Sequence, residues 1–380
     1  MALAERELLT PPSLTGKGAG ELGSIDDIAD KVYGGERITE DDALRLFHHP
    51  NVVELAALAD HVRQRLHPDN VVSYIIGRNI NYTNVCYVRC SFCNFYRIPG
   101  AEGGYVLPRE TIFQKIQEMV DVGGIEILMQ GGLNPKLKIG WYEDLFRAIT
   151  ERFPGVILHA LSPAEIIYIK KLNKLTMEET LTRLKAAGLH SVPGGGAEVL
   201  TDRVRQWIAP YKDTAEEWLD CMRVAHRVGL RSSATMMYGS VDTLADRVEH
   251  LQKLRDLQDE SLANAPAAFT AFIAWNYQPD GTELGGTRAS AFDYMRTIAV
   301  SRIFLDNFPN IQASWVTQGP RIGQLSLRYG VNDFGSTMME ENVVSTAGCV
   351  FTVPLEEIER LISDAGYTPR RRNTRYEMLD

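Results

Sequence analysis

The chain predicts an α/β fold: a (β/α)8 barrel of the TIM type with a helical layer before it, the runner-up being an open doubly wound sheet or a six-strand partial barrel. Two observations lead there. Apolar, β-prone runs alternate with amphipathic helical runs about eight times over about 260 residues, which calls for right-handed βαβ units and a parallel sheet. The residues suited to chemistry gather after the predicted strands, whereas the helix-to-strand turns are plain. A barrel concentrates function at the carboxyl ends of its strands.

In chain order, residues 1–23 are rich in Ala, Gly, Leu and Pro without periodicity and read as a loose tail. Residues 24–70 read as an N-terminal helical layer. Ile28, Ala29 and Val32 form one apolar side, ended by Gly34-Gly35. Thr39 caps a second helix with acidic first-turn residues, and Leu55, Leu58, Ala59 and Val62 mark the buried stripe of a third. The barrel is expected over 71–340. Its strands are predicted at 71–80, 125–129, 156–160, 189–192, 231–237, 268–274, 311–315 and 331–334. Helices are predicted between them at 108–122, 141–153, 164–187, 214–228, 244–257, 289–304 and 321–329. Residues 341–380 are expected to pack on the barrel as a C-terminal extension. Arg370-Arg371-Arg372 with Arg375 reads there as a solvated basic end, or otherwise as a salt-bridged lid.

Hydrophobic residues make up 44% of the 380, enough for a large core, and the net charge is −9. That balance argues against a nucleic-acid surface. No secretory pattern opens the chain, and no apolar run is long enough to span a membrane. A cytoplasmic protein with reduced thiols is expected.

Three of the five cysteines lie in Cys86-Tyr87-Val88-Arg89-Cys90-Ser91-Phe92-Cys93, spaced C-x3-C-x2-C after the first predicted strand. Three thiolates this close can converge on a soft metal centre, and three is one short of a closed site. Structural zinc would want a fourth ligand nearby, but the next histidine is His159 and no second C-x2-C exists. A disulfide with one free thiol is the other bland reading; a chain of this size does not need one. Cys221 and Cys349 read as small buried hydrophobes.

Further candidates sit at later strand ends. Gln130-Gly131-Gly132 lets backbone approach a ligand closely. His159 is either a satisfied core histidine or a substrate contact and proton carrier. Pro193-Gly194-Gly195-Gly196-Ala197-Glu198 lacks the residues of a nucleotide-triphosphate loop. Its Glu198 can accept hydrogen bonds from an ammonium or a ribose. Tyr238-Gly239 ends the next strand. Trp275-Asn276-Tyr277-Gln278-Pro279 suits a flat or ribosyl ligand, with packing at the rim as the plain alternative. His159 and Glu198 are the candidate catalytic residues.

The cysteine spacing, with Phe92 just before the last cysteine, resembles the cluster loop of the radical S-adenosylmethionine (SAM) superfamily. The strings Asn81-Tyr82-Thr83-Asn84, Asn94-Phe95-Tyr96-Arg97, Leu128 to Pro135, His159 to Pro163, Pro193 to Glu198 and Trp275 to Pro279 resemble its branch of futalosine-pathway enzymes and deazaflavin (FO) synthase subunits. They are most similar to the dehypoxanthine futalosine cyclases of menaquinone biosynthesis. The Tyr87-Val88-Arg89 filling is less usual, without changing the spacing. The resemblance implies a [4Fe–4S] cluster on Cys86, Cys90 and Cys93 with SAM at its open iron. It implies that the 5′-deoxyadenosyl radical takes a hydrogen from the ribose of dehypoxanthine futalosine, after which the ring closes onto the benzoate. It also implies an external one-electron donor such as flavodoxin or ferredoxin. Phe92, Gln130, Gly131, Gly132, Glu198, Tyr238 and Gly239 would then meet SAM, and Trp275, Asn276, Gln278 and Arg321 the substrate. An aminofutalosine synthase, an FO synthase subunit, or a cluster protein without SAM chemistry stay open at this point.

Overall fold

The computed structural model describes residues 24–379. Ten strands form one parallel sheet: β1 Val71–Ile75, β2 Gly77–Ile80, β3 Glu126–Met129, β4 Ile157–Ala160, β5 Ser191–Val192, β6 Arg231–Tyr238, β7 Phe269–Asn276, β8 Asn310–Gln312, β9 Asp333–Ser336 and β10 Thr368–Arg371. Pairing runs consecutively from β2 to β9. β9 then pairs with β1, and β1 with β10. Only Ile76 separates β1 from β2, so this single run lies between β9 and β3 and closes the curl. Gly77 is the closing point. A Cβ there would stand 2.9 Å from Ser336 Oγ and 3.2 Å from the Glu126 carbonyl. The eight expected strands are therefore present, with the first split by its change of partner. The ninth and tenth named strands come from that split and from β10, which the basic run 370–372 concealed.

Helices cover the outside because their apolar stripes need the sheet's outer face. Helix Ala215–Arg227 buries Trp218, Leu219, Met222 and Ala225. The 164–187 region is two helices, Pro163–Asn173 and Met177–Ala187. Lys174 takes a left-handed φ of 54°, and Thr176 opens the second helix with a capping box. The last sequence-predicted barrel helix begins at Pro320, and Trp315, expected in a strand, starts the short helix Trp315–Gln318 instead. Of the N-terminal helices α1 Asp26–Gly34, α2 Glu40–His48 and α3 Val52–Leu66, α2 packs on helices Leu244–Asn264 and Ala291–Phe304, α3 packs on Ala291–Phe304, and α1 packs on α3. Arg63 ties them to the barrel, donating to the carbonyls of Val331 and Val71 at 3.2 and 3.0 Å. The expected tail, 1–23, lies outside the described residues. Among those residues no helix is long and apolar enough to cross a membrane.

Two buried histidines of the helical shell predict an acid-sensitive fold. His226 is bonded at both ring nitrogens, 2.7 Å from Ser261 Oγ and 2.7 Å from Ser232 Oγ. His250 Nδ1 accepts from the Leu200 amide at 2.9 Å, so its proton sits on Nε2. Burial holds both pKa values down to about 3. The unfolded value is near 6.5, so the folded state favours the neutral rings. That stabilisation is fully present above pH 6.5 and is lost as pH falls toward 3. Each histidine contributes a slope of up to about 1.4 kcal/mol per pH unit within that window. Chemical denaturation from pH 7 to 4 is expected to show the loss, and His226→Gln to flatten it. An equal slope in the variant sinks the assignment.

Candidate active site

The cluster loop leaves β2 and is fixed by backbone pairing on three sides. The Cys86 amide donates to the Arg97 carbonyl at 2.9 Å, and the Arg97 amide to Asn84 at 2.8 Å. Ser91 donates its amide and its hydroxyl to the Ile208 carbonyl at 2.9 and 3.0 Å, while the Leu284 amide reaches the Ser91 carbonyl at 2.8 Å. Cys93 N–H closes a turn on Cys90, 3.1 Å away. Arg89 takes φ 55°, a left-handed kink between the cysteines. The tight packing of the glycine turn explains Gly132: a Cβ there would lie 2.9 Å from Cys86 Cβ.

All three loop cysteines are free thiols; Cys90 feels the charge of Cys86 and Cys93, and Cys93 that of Cys86. Burial pushes the Cys90 thiol well up, opposed by the Lys212 cation. Burial also raises Cys93, opposed by donation from the Phe95 and Tyr96 amides. Among the described residues no three His, Cys, Asp or Glu side chains converge closely enough for one metal ion.

Glu198 stands beside this loop. Its backbone is left-handed at φ 45°, and its Oε1 accepts from Lys212 Nζ at 2.6 Å. Its Oε2 is buried without a partner. Lys212, 8% exposed, also donates to the Gly196 carbonyl and lies 6.0 Å from the Phe92 ring. Burial opposes its charge, but Glu198, Asp213 and Cys90 outweigh that and raise its pKa. An unpartnered carboxylate oxygen and a half-buried aromatic thus flank the three thiols. This donor set suits a [4Fe–4S] cluster with a ligand carrying an ammonium or hydroxyl group.

Inside the curl lies a cavity of about 280 Å³. Gln130, His159, Gly194, Gly195 and Trp275 line it, so the structure brings together candidates from four strand ends. His159 Nδ1 lies 2.7 Å from Ser191 Oγ, and its Nε2 3.5 Å from Ser233 Oγ. Burial lowers its pKa, which keeps the ring neutral. The two readings of His159 merge: it is held like a core residue, and it faces the chamber.

Other candidates stand elsewhere. The Gly131 amide is taken by Glu165 Oε1 at 3.0 Å and the Gly132 amide by the Thr83 carbonyl at 2.9 Å. Asn276 and Gln278 do not line the cavity; Gln278 Nε2 donates to Asn276 Oδ1 at 2.9 Å, and Cys349 Sγ to Gln278 Oε1 at 3.0 Å. Tyr238 is buried behind the wall with Arg247 4.4 Å above its ring, and the Gly239 amide donates to Asp242. Arg321 is exposed and does not line the cavity. The basic end departs from a solvated tail at Arg372, while Arg370 and Arg375 are exposed. Arg372 is buried on the cavity wall and bidentate to Asp333 at 2.5 and 2.9 Å, because the hairpin after β10 folds into the barrel instead of into solvent.

Three residues outside the sequence candidates complete the site. Glu165 accepts from Tyr82 Oη, Ser162 N–H and Ser162 Oγ, each at 2.7 Å, and burial raises its pKa. Its signal was the capping-box spacing from Ser162. Lys212 has no local signal. Glu341 lines the cavity and accepts from the amides of Val343, Val344 and Ser345 at 2.9–3.1 Å.

Residues 80–254 match the Radical SAM superfamily, and residues 266–380 match the CofH/MqnC C-terminal region. The "Cyclic dehypoxanthine futalosine synthase" of Halalkalibacterium halodurans is 47% identical over 94% of this chain and 95% of its own. The chain belongs to the radical SAM superfamily. It is a radical SAM enzyme, homologous to proteins of that name. The namesake from Streptomyces coelicolor is 43% identical over 94% of this chain and 90% of its own. The "Aminodeoxyfutalosine synthase" of Thermus thermophilus is 39% identical over 92% and 94%. Among solved structures, methylornithine synthase superposes with a TM-score of 0.71 at 18% identity, covering 92% of this chain and 98% of its own. That likeness places the radical SAM protein in a known α/β barrel fold.

Proposed function

We propose that this enzyme is a cyclic dehypoxanthine futalosine synthase, converting dehypoxanthine futalosine to its cyclic form in menaquinone biosynthesis. The observation that carries the reading is the 47% identity spread over nearly the whole length of a relative of that name. The cavity supports it with space and mixed polarity for one small substrate.

Cys86, Cys90 and Cys93 would hold the cluster. Phe92, Gln130 and Glu198 would meet SAM, Glu198 through its unpartnered Oε2. A bound [4Fe–4S] cluster with SAM supplies a carbon radical able to take a hydrogen atom from a ribose. The chain's own part is to bind, orient and exclude water. Trp275 offers a flat face in the chamber, and the Arg372–Asp333 pair stands in its wall. Neutral His159 can accept the proton released as the ring rearomatises. Asn276 and Gln278 act one step back, holding the loop after β7 through each other and through Gln318. An external electron carrier, flavodoxin or ferredoxin, would reduce the cluster. The cytoplasm is the proposed compartment, consistent with five unpaired cysteines.

The relative from Thermus thermophilus favours one second reading, an aminodeoxyfutalosine synthase. Anaerobic incubation with SAM, a reductant and each candidate substrate separates the two by product mass. Dehypoxanthine futalosine is expected to lose two hydrogens. If it is recovered unchanged while the other substrate reacts, the first reading falls.

A further inference from the structure

The first strand puts two amides into the chamber, and they are not satisfied by the protein. Gly77, Asn79 and Asn81 alternate toward the barrel interior, whereas Arg78 points outward to Glu118 and Glu340. Asn79 and Asn81 are 4% and 3% exposed, and both line the cavity. Asn81 donates to the Gln130 carbonyl at 3.2 Å, but its Oδ1 is buried without a partner. Asn79 goes further. Its Oδ1 is likewise unpartnered, and its side chain makes no hydrogen bond among the described residues. Buried amides are ordinarily bonded, so an inward-facing free amide marks a place where something else binds.

The surroundings say what that is. Strand register sets Asn79 beside Leu128, Leu128 beside His159, and His159 beside Ser191, so these residues form one layer around the barrel. The chamber's lining carries the carboxylates Glu126 and Glu341, and the charge of its one lining arginine, Arg372, is already taken by Asp333, so among the described residues no free cation in the lining draws an anionic group to this layer. A neutral amide and a neutral imidazole in one layer match a neutral group that both donates and accepts, which is a hydroxyl. We propose that Asn79 is a substrate-binding residue that hydrogen-bonds a sugar hydroxyl of the nucleoside-derived substrate, with Asn81 Oδ1 as the second acceptor above it. This rests on the substrate reading of the chamber given above. SAM also carries a ribose, so the test must tell the two apart.

The test uses the reconstituted holoenzyme and Asn79→Ala, with Asn79→Ser as the conservative variant. Melting is followed anaerobically without reductant, alone, with SAM, and with SAM plus dehypoxanthine futalosine; turnover is then measured with reductant. Asn79→Ala is expected to melt no lower than the wild type, because it removes an unsatisfied amide. It should keep the shift given by SAM and lose the further shift given by substrate. Its KM should rise about tenfold or more while kcat changes less, the scale of one lost hydrogen bond. Asn79→Ser should fall between the two. An unchanged KM and substrate shift overturn the proposal, as does loss of the SAM shift in place of the substrate shift. A lower melting point with unchanged KM would mean a structural role and also overturns it. If wild type ignores dehypoxanthine futalosine, the substrate reading itself has failed. The same comparison then runs with the substrate that wild type does convert, and decides Asn79 separately.

Discussion

Cys90→Ala is expected to abolish the brown absorbance of the reconstituted cluster and the cleavage of SAM together. Cys90 sits between Cys86 and Cys93 in sequence, and its thiol feels both of them as well as Lys212 and Glu198. Removing it leaves two thiolates for a cube that already lacks a fourth protein ligand. The fold should survive, because the loop is fixed by backbone bonds from Cys86, Ser91 and Cys93 rather than by the Cys90 side chain. Anaerobic reconstitution, absorbance, and 5′-deoxyadenosine quantified after addition of reductant check the result. Retention of either cluster or cleavage would undo the three-thiolate assignment.

Arg372→Met is expected to have the largest effect on stability. Arg372 and Asp333 are side chains 4% and 0% exposed, and Ser73 Oγ adds a bond to Asp333 at 2.6 Å. Burial disfavours the arginine's charge, but Asp333 and Tyr376 overcome that and raise its pKa. Loss of one partner leaves the other charge buried and unpaired, which costs about 3–5 kcal/mol. Replacing both, as Arg372→Met with Asp333→Leu, should recover a large part of that loss, because the pair's net value is far below the cost of breaking it. Urea denaturation of the wild type and the two variants measures this. Equal losses in the single and double variants would show that the charge pairing is not the cause.

The same residue marks where reading the chain in one dimension stops. The run Arg370-Arg371-Arg372 looks like a solvated tail because nothing local tells its arginines apart. The pairing of β10 with β1 then carries Arg372 into the barrel. Thr374 follows it to Glu126 at 2.5 Å, and Leu379 N–H closes the hairpin on the Arg371 carbonyl at 2.9 Å. Lys212 is another case. Fourteen positions from Glu198, it has no motif, yet the fold makes it the partner of that carboxylate. Arg321 is the converse, a cation near a strand end whose helix turns it outward.

The sequence by itself determined the alternation of strand and helix, the number of barrel strands, and the three-cysteine loop after the first of them. These rest on periodicity and on spacing within one loop, which are local properties of the chain. It also determined that Gln130, His159, Glu198 and Trp275 end strands, and hence share one end of a barrel. Only the tertiary structure decided which of them face the chamber, that Asn276 and Gln278 bond to each other, and that Asn79 is left without a partner. Hydrogen-bond satisfaction inside a closed sheet depends on which distant strand arrives opposite. That is settled by the curl and its register, and not by any residue's neighbours in sequence.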